Sequence, residues 1–393
     1  MRKFWSSRKR SRGSLLNPLS DHVADFGVPG PASEAWDRGP AKYFHGRTVI
    51  LGQFAERSHQ AARQNAGTIF LVQGAPGAGK TALLAECAKR AQGIGWLVVK
   101  IHPQTLWDPH LLRKSLDGRR KPAVTGASAK LGVATAAATA DLPPVTMLDL
   151  LTDSNDRLLL VLDEAQRLGQ AAAPVGEAVA TASMVLTSIH NGEIGRPVIL
   201  LAGGLGTSQH AFEKLGISRF EGDCLVNLGG LDPEAERAVL YDWLTKDGGA
   251  QGDPGPWIDA ITKETYGWPQ HILSYVKPAL VQLHEDTGQM TTSGLDVVLS
   301  QGRARRAAYY KGRTDAFDTP ELQHMAEALI QVTTADGVSK KHILASLTRH
   351  YGPDEATRLF DQALHKGVLS RHGKGYAAPI PSMHNWLVSE YLN

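Results

Sequence analysis

Gly74-Ala75-Pro76-Gly77-Ala78-Gly79-Lys80-Thr81 follows the apolar run Thr68-Ile69-Phe70-Leu71-Val72 and leads into Ala82-Leu83-Leu84. Strand, glycine-rich turn and helix in that order make a phosphate-binding loop, with four free positions between the first glycine and Gly-Lys-Thr. Each residue type has a task. The glycines let backbone N–H groups curl around an anion, and the helix start adds partial positive charge. Lys80 is expected to bridge the outer phosphates and Thr81 to offer its hydroxyl to a divalent cation. Gly74, Pro76, Gly77, Ala78, Gly79, Lys80, Thr81 and Ala82 are therefore the expected phosphate-binding residues.

The run Leu158-Leu159-Leu160-Val161-Leu162-Asp163-Glu164-Ala165-Gln166 supplies the complement. A fully apolar strand delivers two carboxylates at its C-terminal end, where ligands collect in open α/β sheets. Asp163 is expected to hold Mg2+ together with Thr81, and Glu164 to activate an attacking water. A kinase substrate brings its own nucleophile, so Glu164 argues for hydrolysis over phosphoryl transfer. The expected cofactors are ATP and Mg2+, and the expected activity is that of an ATPase.

Around these motifs, short apolar runs at Thr68–Val72, Trp96–Ile101, Leu158–Leu162, Val198–Ala202 and Cys224–Asn227 alternate with helical stretches. Val175, Val179, Ala182, Leu186 and Ile189 recur at helical spacing. The pattern predicts an α/β fold, a five-stranded parallel P-loop sheet, over residues 36–230. An Ala/Gly/Thr-rich stretch at 119–144 interrupts it as an inserted loop. Asp232-Pro233 offers an N-cap and a first-turn proline, opening a helical lid over 231–318. Thr319-Pro320, Ser339 and Pro353 start three helices, and Val368–Ala378 reads as two short strands around Gly373, so 319–393 is expected to be a winged helix.

No apolar run approaches the roughly 20 residues that cross a bilayer, which excludes a membrane-spanning class. Two cysteines, Cys87 and Cys224, are too few for a disulfide framework and point to a reducing compartment, the cytoplasm. Of 42 basic residues six lie before Asp21, leaving 36 against 39 acidic. The body is thus slightly acidic behind a basic arm, 1–35, expected to be disordered. That arm could touch nucleic acid or anionic lipid, or serve as a solvated tail.

With both motifs placed, the chain resembles the AAA+ ATPases related to origin-recognition and transposition-type ATPases, and the STAND-type signalling NTPases. The resemblance spans about residues 40 to 393 and implies further roles. Phe44-His45-Gly46-Arg47 resembles the F-x-G-R segment whose backbone, here Gly46 and Arg47, flanks adenine. Thr207, beyond the fourth strand, is the residue expected near the γ-phosphate. Arg219 stands where these ATPases carry an arginine finger acting on a neighbouring subunit, which implies a homo-oligomer; a surface arginine paired with Glu221 is the other reading. Gly267-Trp268-Pro269 resembles the glycine-x-proline element that closes over the base, with Pro269 against it. The arginine expected nearby in AAA+ proteins is replaced by Gln270 and His271. Ser382-Met383-His384-Asn385 resembles the methionine-histidine-aspartate element, with His384 either at the β-phosphate or a core histidine.

Residues 303–313 bring five basic residues and two tyrosines together without a carboxylate. Contact with nucleic acid is one use, and a linker helix packed on its own lid is another. Two functions follow from the resemblance. One is an ATP-dependent, DNA-associated loader or regulator, touching DNA through the arm, residues 303–313 and the winged helix. The other is a switch that holds ADP and acts through a partner protein; no repeat array of the usual sensing kind follows His384, which favours the first. A nucleotide-binding module with little turnover is a third.

Overall fold

The computed structural model of the protein describes residues 41–117, 147–152, 156–169, 176–220, 222–330, 337–372 and 374–392. The basic arm, the 119–144 stretch, Val175, Glu221 and Gly373 lie outside the described residues.

The first unit runs α1 (Thr48–Gln64), β1 (Gly67–Gln73), α2 (Lys80–Gly93), β2 (Leu97–Ile101), α3 (Pro109–Asp117), α4 (Met147–Thr152), β3 (Leu158–Leu162), α5 (Glu177–His190), β4 (Val198–Gly204), α6 (Ser208–Glu213) and β5 (Leu225–Asn227). All five strands are parallel, in the order β2-β3-β4-β1-β5. The expected P-loop sheet is therefore present, each strand within two residues of its predicted ends. Side chains alternate across a strand, and the two faces are buried by different helices. Phe70, Val72, Leu159 and Val161 pack with Phe54 of α1 and Leu84 of α2. Ile69, Leu71, Leu160 and Leu162 pack with Val185 and Ile189 of α5. A sheet covered on both faces needs continuous apolar strands, which is why Leu158–Leu162 has no polar residue.

The register fixes the site. Gly67 to Gln73 pair with Val198 to Gly204, and Leu158 to Leu162 with Val198 to Ala202. β1 and β3 thus flank β4 and end at nearly the same level, so the turn after β1 and the carboxylates after β3 face each other across the end of β4.

Next come α7 (Pro233–Asp242), a π turn (Trp243–Asp247), α8 (Gly255–Thr265), α9 (Pro269–Glu285) and α10 (Thr292–Thr314). Asp232 caps α7 by accepting a hydrogen bond from the Ala235 N–H at 2.8 Å, the cap the Asp-Pro pair predicted. These helices bury a cluster of their own, including Leu240, Trp257, Tyr275 and Leu283.

The chain closes with α11 (Thr319–Ile330), α12 (Lys340–Thr348), α13 (Pro353–Lys366), an antiparallel pair β6 (Ser370–His372) and β7 (Gly375–Ala377), and α14 (Pro381–Tyr391). Val338 bridges to Tyr376 beside that pair. Leu322, Met325, Phe360 and Leu387 of this region share one apolar cluster with Phe54 and Leu84 of the first unit. Buried Tyr310 of α10 shares a 2.7 Å hydrogen bond with Ser382 of α14. The C-terminal helices are therefore packed onto the phosphate-loop face of the molecule. No helix among the described residues is long and apolar enough to cross a membrane.

Candidate functional site

Gly77 and Gly79 adopt φ of +81° and +90°, a left-handed backbone that side chains disfavour. Gly79 is the N-cap of α2, and no side chain caps that helix. The first N–H groups of α2 are thereby left for an anion. Lys80 donates to the carbonyls of Gly74 (2.8 Å) and Ala75 (3.0 Å). Burial lowers its ammonium pKa to about 8; Asp163 and Glu164 oppose that shift, and the Arg313 charge adds to it.

Thr81 Oγ1 donates to Asp163 Oδ2 at 2.7 Å. Two hard oxygen donors from different motifs therefore sit side by side at the mouth of the anion cradle, a donor set that suits Mg2+. Asp163 Oδ1 accepts from the Glu164 N–H at 2.9 Å. Glu164 has φ +59°, a conformation that costs a non-glycine residue about 1 kcal/mol or more. It turns the carboxylate out of the strand direction and into the cleft.

Gln166 donates from Nε2 to Glu164 Oε2 (2.6 Å) and accepts at Oε1 from the Leu205 N–H (3.1 Å). A Cβ on Gly204 would fall 2.7 Å from that Oε1, so a side chain at the end of β4 would exclude this contact. Thr207, expected near the γ-phosphate, is the N-cap of α6 and is not among the cleft-lining residues. Gln166 lines the cleft and supplies the polar link between β4 and Glu164. Gly203-Gly204, lacking any side chain where a polar one was expected, was the sequence signal for it.

These residues open into a cleft of about 1640 Å³, more than the 300–1,000 Å³ usual for a small-molecule site. Its apolar end is lined by Phe44, Leu231, Val239, Trp243, Pro269 and Ile272, suited to a flat heterocycle. Gly46 has φ +75°, and a Cβ there would meet the Ala235 Cβ at 2.5 Å. Arg47 donates to Gly229 (2.6 Å), Gly230 (2.8 Å) and Ala78 (3.4 Å) carbonyls. It ties the start of the domain to the phosphate loop and to the turn entering the lid. Pro269 reaches the same place because buried Glu236 accepts from the Gly267 N–H (2.9 Å) and from Thr265 Oγ1. Gln270 N–H then donates to Gly77 O at 3.2 Å, so the lid touches the phosphate loop directly.

Residues 303–313 form the last half of α10. Arg303 and Arg306 pair with Glu264. Tyr309 OH donates to Pro76 O at 2.7 Å, and the Arg313 guanidinium lies 5.1 Å from the Tyr309 ring centroid. Of the five basic residues, Arg305 and Lys311 are exposed and form no ion pair among the described residues. The segment is a helix packed on its own lid through Arg303 and Arg306, with Arg305 and Lys311 left exposed. Arg313 lines the cleft, joined by His365 and Lys366 from the end of α13. Sequence reasoning missed all three, because nothing local marks a residue that reaches a site more than 200 positions away.

His384 lies on α14 and is not among the cleft-lining residues. Arg219 is exposed, outside the cleft, and forms no ion pair among the described residues. Apart from the cleft, one group of described residues has metal-ligand character. His324, Glu327 and His350 place ligand atoms within 4.8 Å of one another, with His324 Nδ1 3.0 Å from Tyr351 OH. Three protein ligands are one short of a closed tetrahedral set.

Comparison with known proteins fits this geometry. Residues 43–186 match the AAA ATPase domain family. A search of curated proteins finds no match. Among solved structures, the ADP form of the Aeropyrum pernix ORC2 protein superposes with a TM-score of 0.56 at 14% identity, covering 91% of this chain and 97% of that one. The ADPNP-ADP complexes of the same Aeropyrum pernix protein give 0.53 with the same identity and coverage. At that identity the likeness is one of fold. Residues 43–186 match an AAA ATPase domain, and the chain as a whole shares the fold of those Aeropyrum pernix ORC2 structures.

Proposed function

We propose that the chain binds ATP with Mg2+, hydrolyses it, and uses the cycle in a nucleotide-dependent, DNA-associated role, as a loader or regulator. The observation that carries the reading is the 2.7 Å bond between Thr81 and Asp163, which brings the two motifs into one cation-binding corner. Gly74 to Ala82 hold the phosphates, the apolar end of the cleft takes the base, and Thr81 and Asp163 hold Mg2+. When bound, that ion supplies charge neutralisation between the outer phosphates. Glu164 orients a water and accepts its proton, while Gln166 holds the carboxylate in place until then. Arg219, exposed just before β5, is the candidate arginine finger for a neighbouring copy. The first three helices and the hairpin of 319–393 support a winged helix, to which α14 adds a fourth helix. Exposed Lys341, Arg371 and Lys374 are its candidate phosphate contacts on DNA.

The ADP-holding switch is kept as a second reading because of one contact. Gly367, the left-handed C-cap of α13, packs so closely on the phosphate loop that a Cβ would lie 2.4 Å from Pro76 Cδ. A C-terminal unit resting on the nucleotide loop is what such a switch needs.

The two readings separate in one experiment: ATP turnover by the purified chain with and without duplex DNA, alongside Glu164→Gln. Turnover stimulated by DNA and lost in the variant supports the first. Turnover indifferent to DNA, in a monomer that purifies with ADP, rejects it in favour of the second.

A further inference from the structure

We propose that His324, Glu327 and His350 form a site for a divalent transition-metal ion of the Zn2+ type, which pins the first helix of the C-terminal region to the turn that leads into α13. The site stands apart from the nucleotide cleft, since none of the three residues lines it, and it does not depend on the ATP-binding reading.

Three observations support it. The first is the donor set. Two imidazoles and a carboxylate suit a borderline ion such as Zn2+, with a fourth position left to water, whereas Mg2+ and Ca2+ take oxygen donors. The second is placement. His324 and Glu327 stand three positions apart on α11, so both leave the same face of the helix. His350 comes from beyond the end of α12, and its ring stacks on the His324 ring at a centroid distance of 3.6 Å and an interplanar angle of 15°. The three residues offer ligand atoms within 4.8 Å of one another. Around a tetrahedral ion with bonds of about 2.0–2.2 Å, ligand atoms lie roughly 3.3–3.6 Å apart, so binding draws the group together by up to about 1.5 Å. Rotation of exposed His350 and half-buried Glu327 supplies that movement.

The third observation is the support around the ligands. Tyr351 OH lies 3.0 Å from His324 Nδ1. One ring nitrogen is thus held by a neighbour and Nε2 is left for the ion, the arrangement that orients a metal-bound histidine. Glu327 forms no ion pair among the described residues, so its carboxylate is not committed elsewhere in the fold. The backbone beneath is fixed by packing. Leu322, Met325 and Leu329 of α11 and Ile343 and Leu347 of α12 share one buried cluster, joined by half-buried Tyr351. His350 N–H donates to Leu347 O at 3.0 Å, and two residues on, Gly352 is the N-cap of α13. An ion held here cross-links α11 to the turn from which α13 starts, the helix whose far end at Gly367 abuts Pro76 of the phosphate loop.

The test is calorimetric titration with Zn2+ of the untagged full chain, stripped of metal by a chelator and held in Mg2+ buffer. His350→Ala, Glu327→Gln and Tyr351→Phe are titrated beside it, with His372→Ala as a control at another exposed histidine. The unaltered chain should take up one equivalent with a Kd of about 1 μM or tighter, and its thermal unfolding should move upward with added Zn2+. His350→Ala and Glu327→Gln should each weaken that binding at least about a hundredfold, and Tyr351→Phe about tenfold. His372→Ala should bind as the unaltered chain does. Circular dichroism of the metal-free variants separates loss of the site from loss of the fold, and His350→Ala removes only an exposed ring. No saturable equivalent in the unaltered chain, or one that survives both His350→Ala and Glu327→Gln, overturns the site. Equal weakening in His372→Ala means adventitious surface binding and overturns it as well.

Discussion

The cleft has two walls of different origin. One consists of the phosphate loop and the Asp163–Glu164 tip, carried by parallel strands that share β4 as a neighbour. Each of its parts is a continuous stretch of sequence at the end of a buried strand, placed by the backbone hydrogen bonding of the sheet. The other consists of Pro269, Arg313 and the end of α13, three helix termini gathered from three separate stretches. They meet the first wall through Gln270 N–H to Gly77 O, Tyr309 OH to Pro76 O, and Gly367 against Pro76. The residues proposed for phosphate binding and hydrolysis sit on the first wall, and the second is supplied by the lid and the C-terminal region. The first wall resists change because a strand shift would break a whole register, whereas the second is held by side-chain packing, its helices sharing an apolar cluster with α1 and α2.

The comparison breaks if substitutions on the two walls have the same character. Lys80→Ala should remove nucleotide binding, raising Kd at least about a hundredfold, while Glu164→Gln should keep binding and lower turnover by about 10²–10⁴. Titration calorimetry and phosphate release separate the two. On the other wall, Gly367→Ala introduces a clash with Pro76 and a strained φ of +73°. It should destabilise the unliganded protein by about 1–3 kcal/mol, seen as a lower unfolding midpoint, with the five-stranded core left intact by circular dichroism.

Acidity provides a finer test. The Lys80 ammonium sits at about 8 in the folded protein against an ordinary 10.5. Between those values the folded state holds fewer protons than the unfolded one, so unliganded stability rises with pH across that window. A phosphate chain favours the charged lysine, so nucleotide affinity should be flat below pH 8 and fall above it, by up to about tenfold per pH unit. A flat affinity profile from pH 7 to 9.5 would remove Lys80 from the phosphates. The smallest effect is expected at Gln166. Its amide holds the Glu164 carboxylate in place, so Gln166→Ala should lower turnover by about threefold, measured at saturating ATP.

Much of the first wall was readable in the residues alone. The glycine pattern before Lys80 and the apolar strand ending in Asp163-Glu164 carry their own geometry, since a buried parallel strand presents its ligands at its C-terminal end. The lid cap at Asp232 was legible for the same local reason. Thr207 and His384 were chosen by the spacing of related families, and neither lines the cleft. Gln166 does line it, and it does so only because Gly204, on another strand, leaves room. The stretch 303–313 carried the right composition for two uses, and Glu264, the partner that packs it on the lid, lies about forty residues away on another helix.

Sequence by itself determined the phosphate loop, the paired carboxylates, the five buried strands and their alternation with helices, because each depends on short-range backbone chemistry and side-chain periodicity. Tertiary structure alone decided that Arg313 lines the cleft, that Gln166 reaches Glu164, and that the C-cap of α13 rests on Pro76. Those contacts join residues far apart in the chain, and they form where helix packing buries apolar surface; no local pattern of residue types encodes which distant surfaces that packing will bring together.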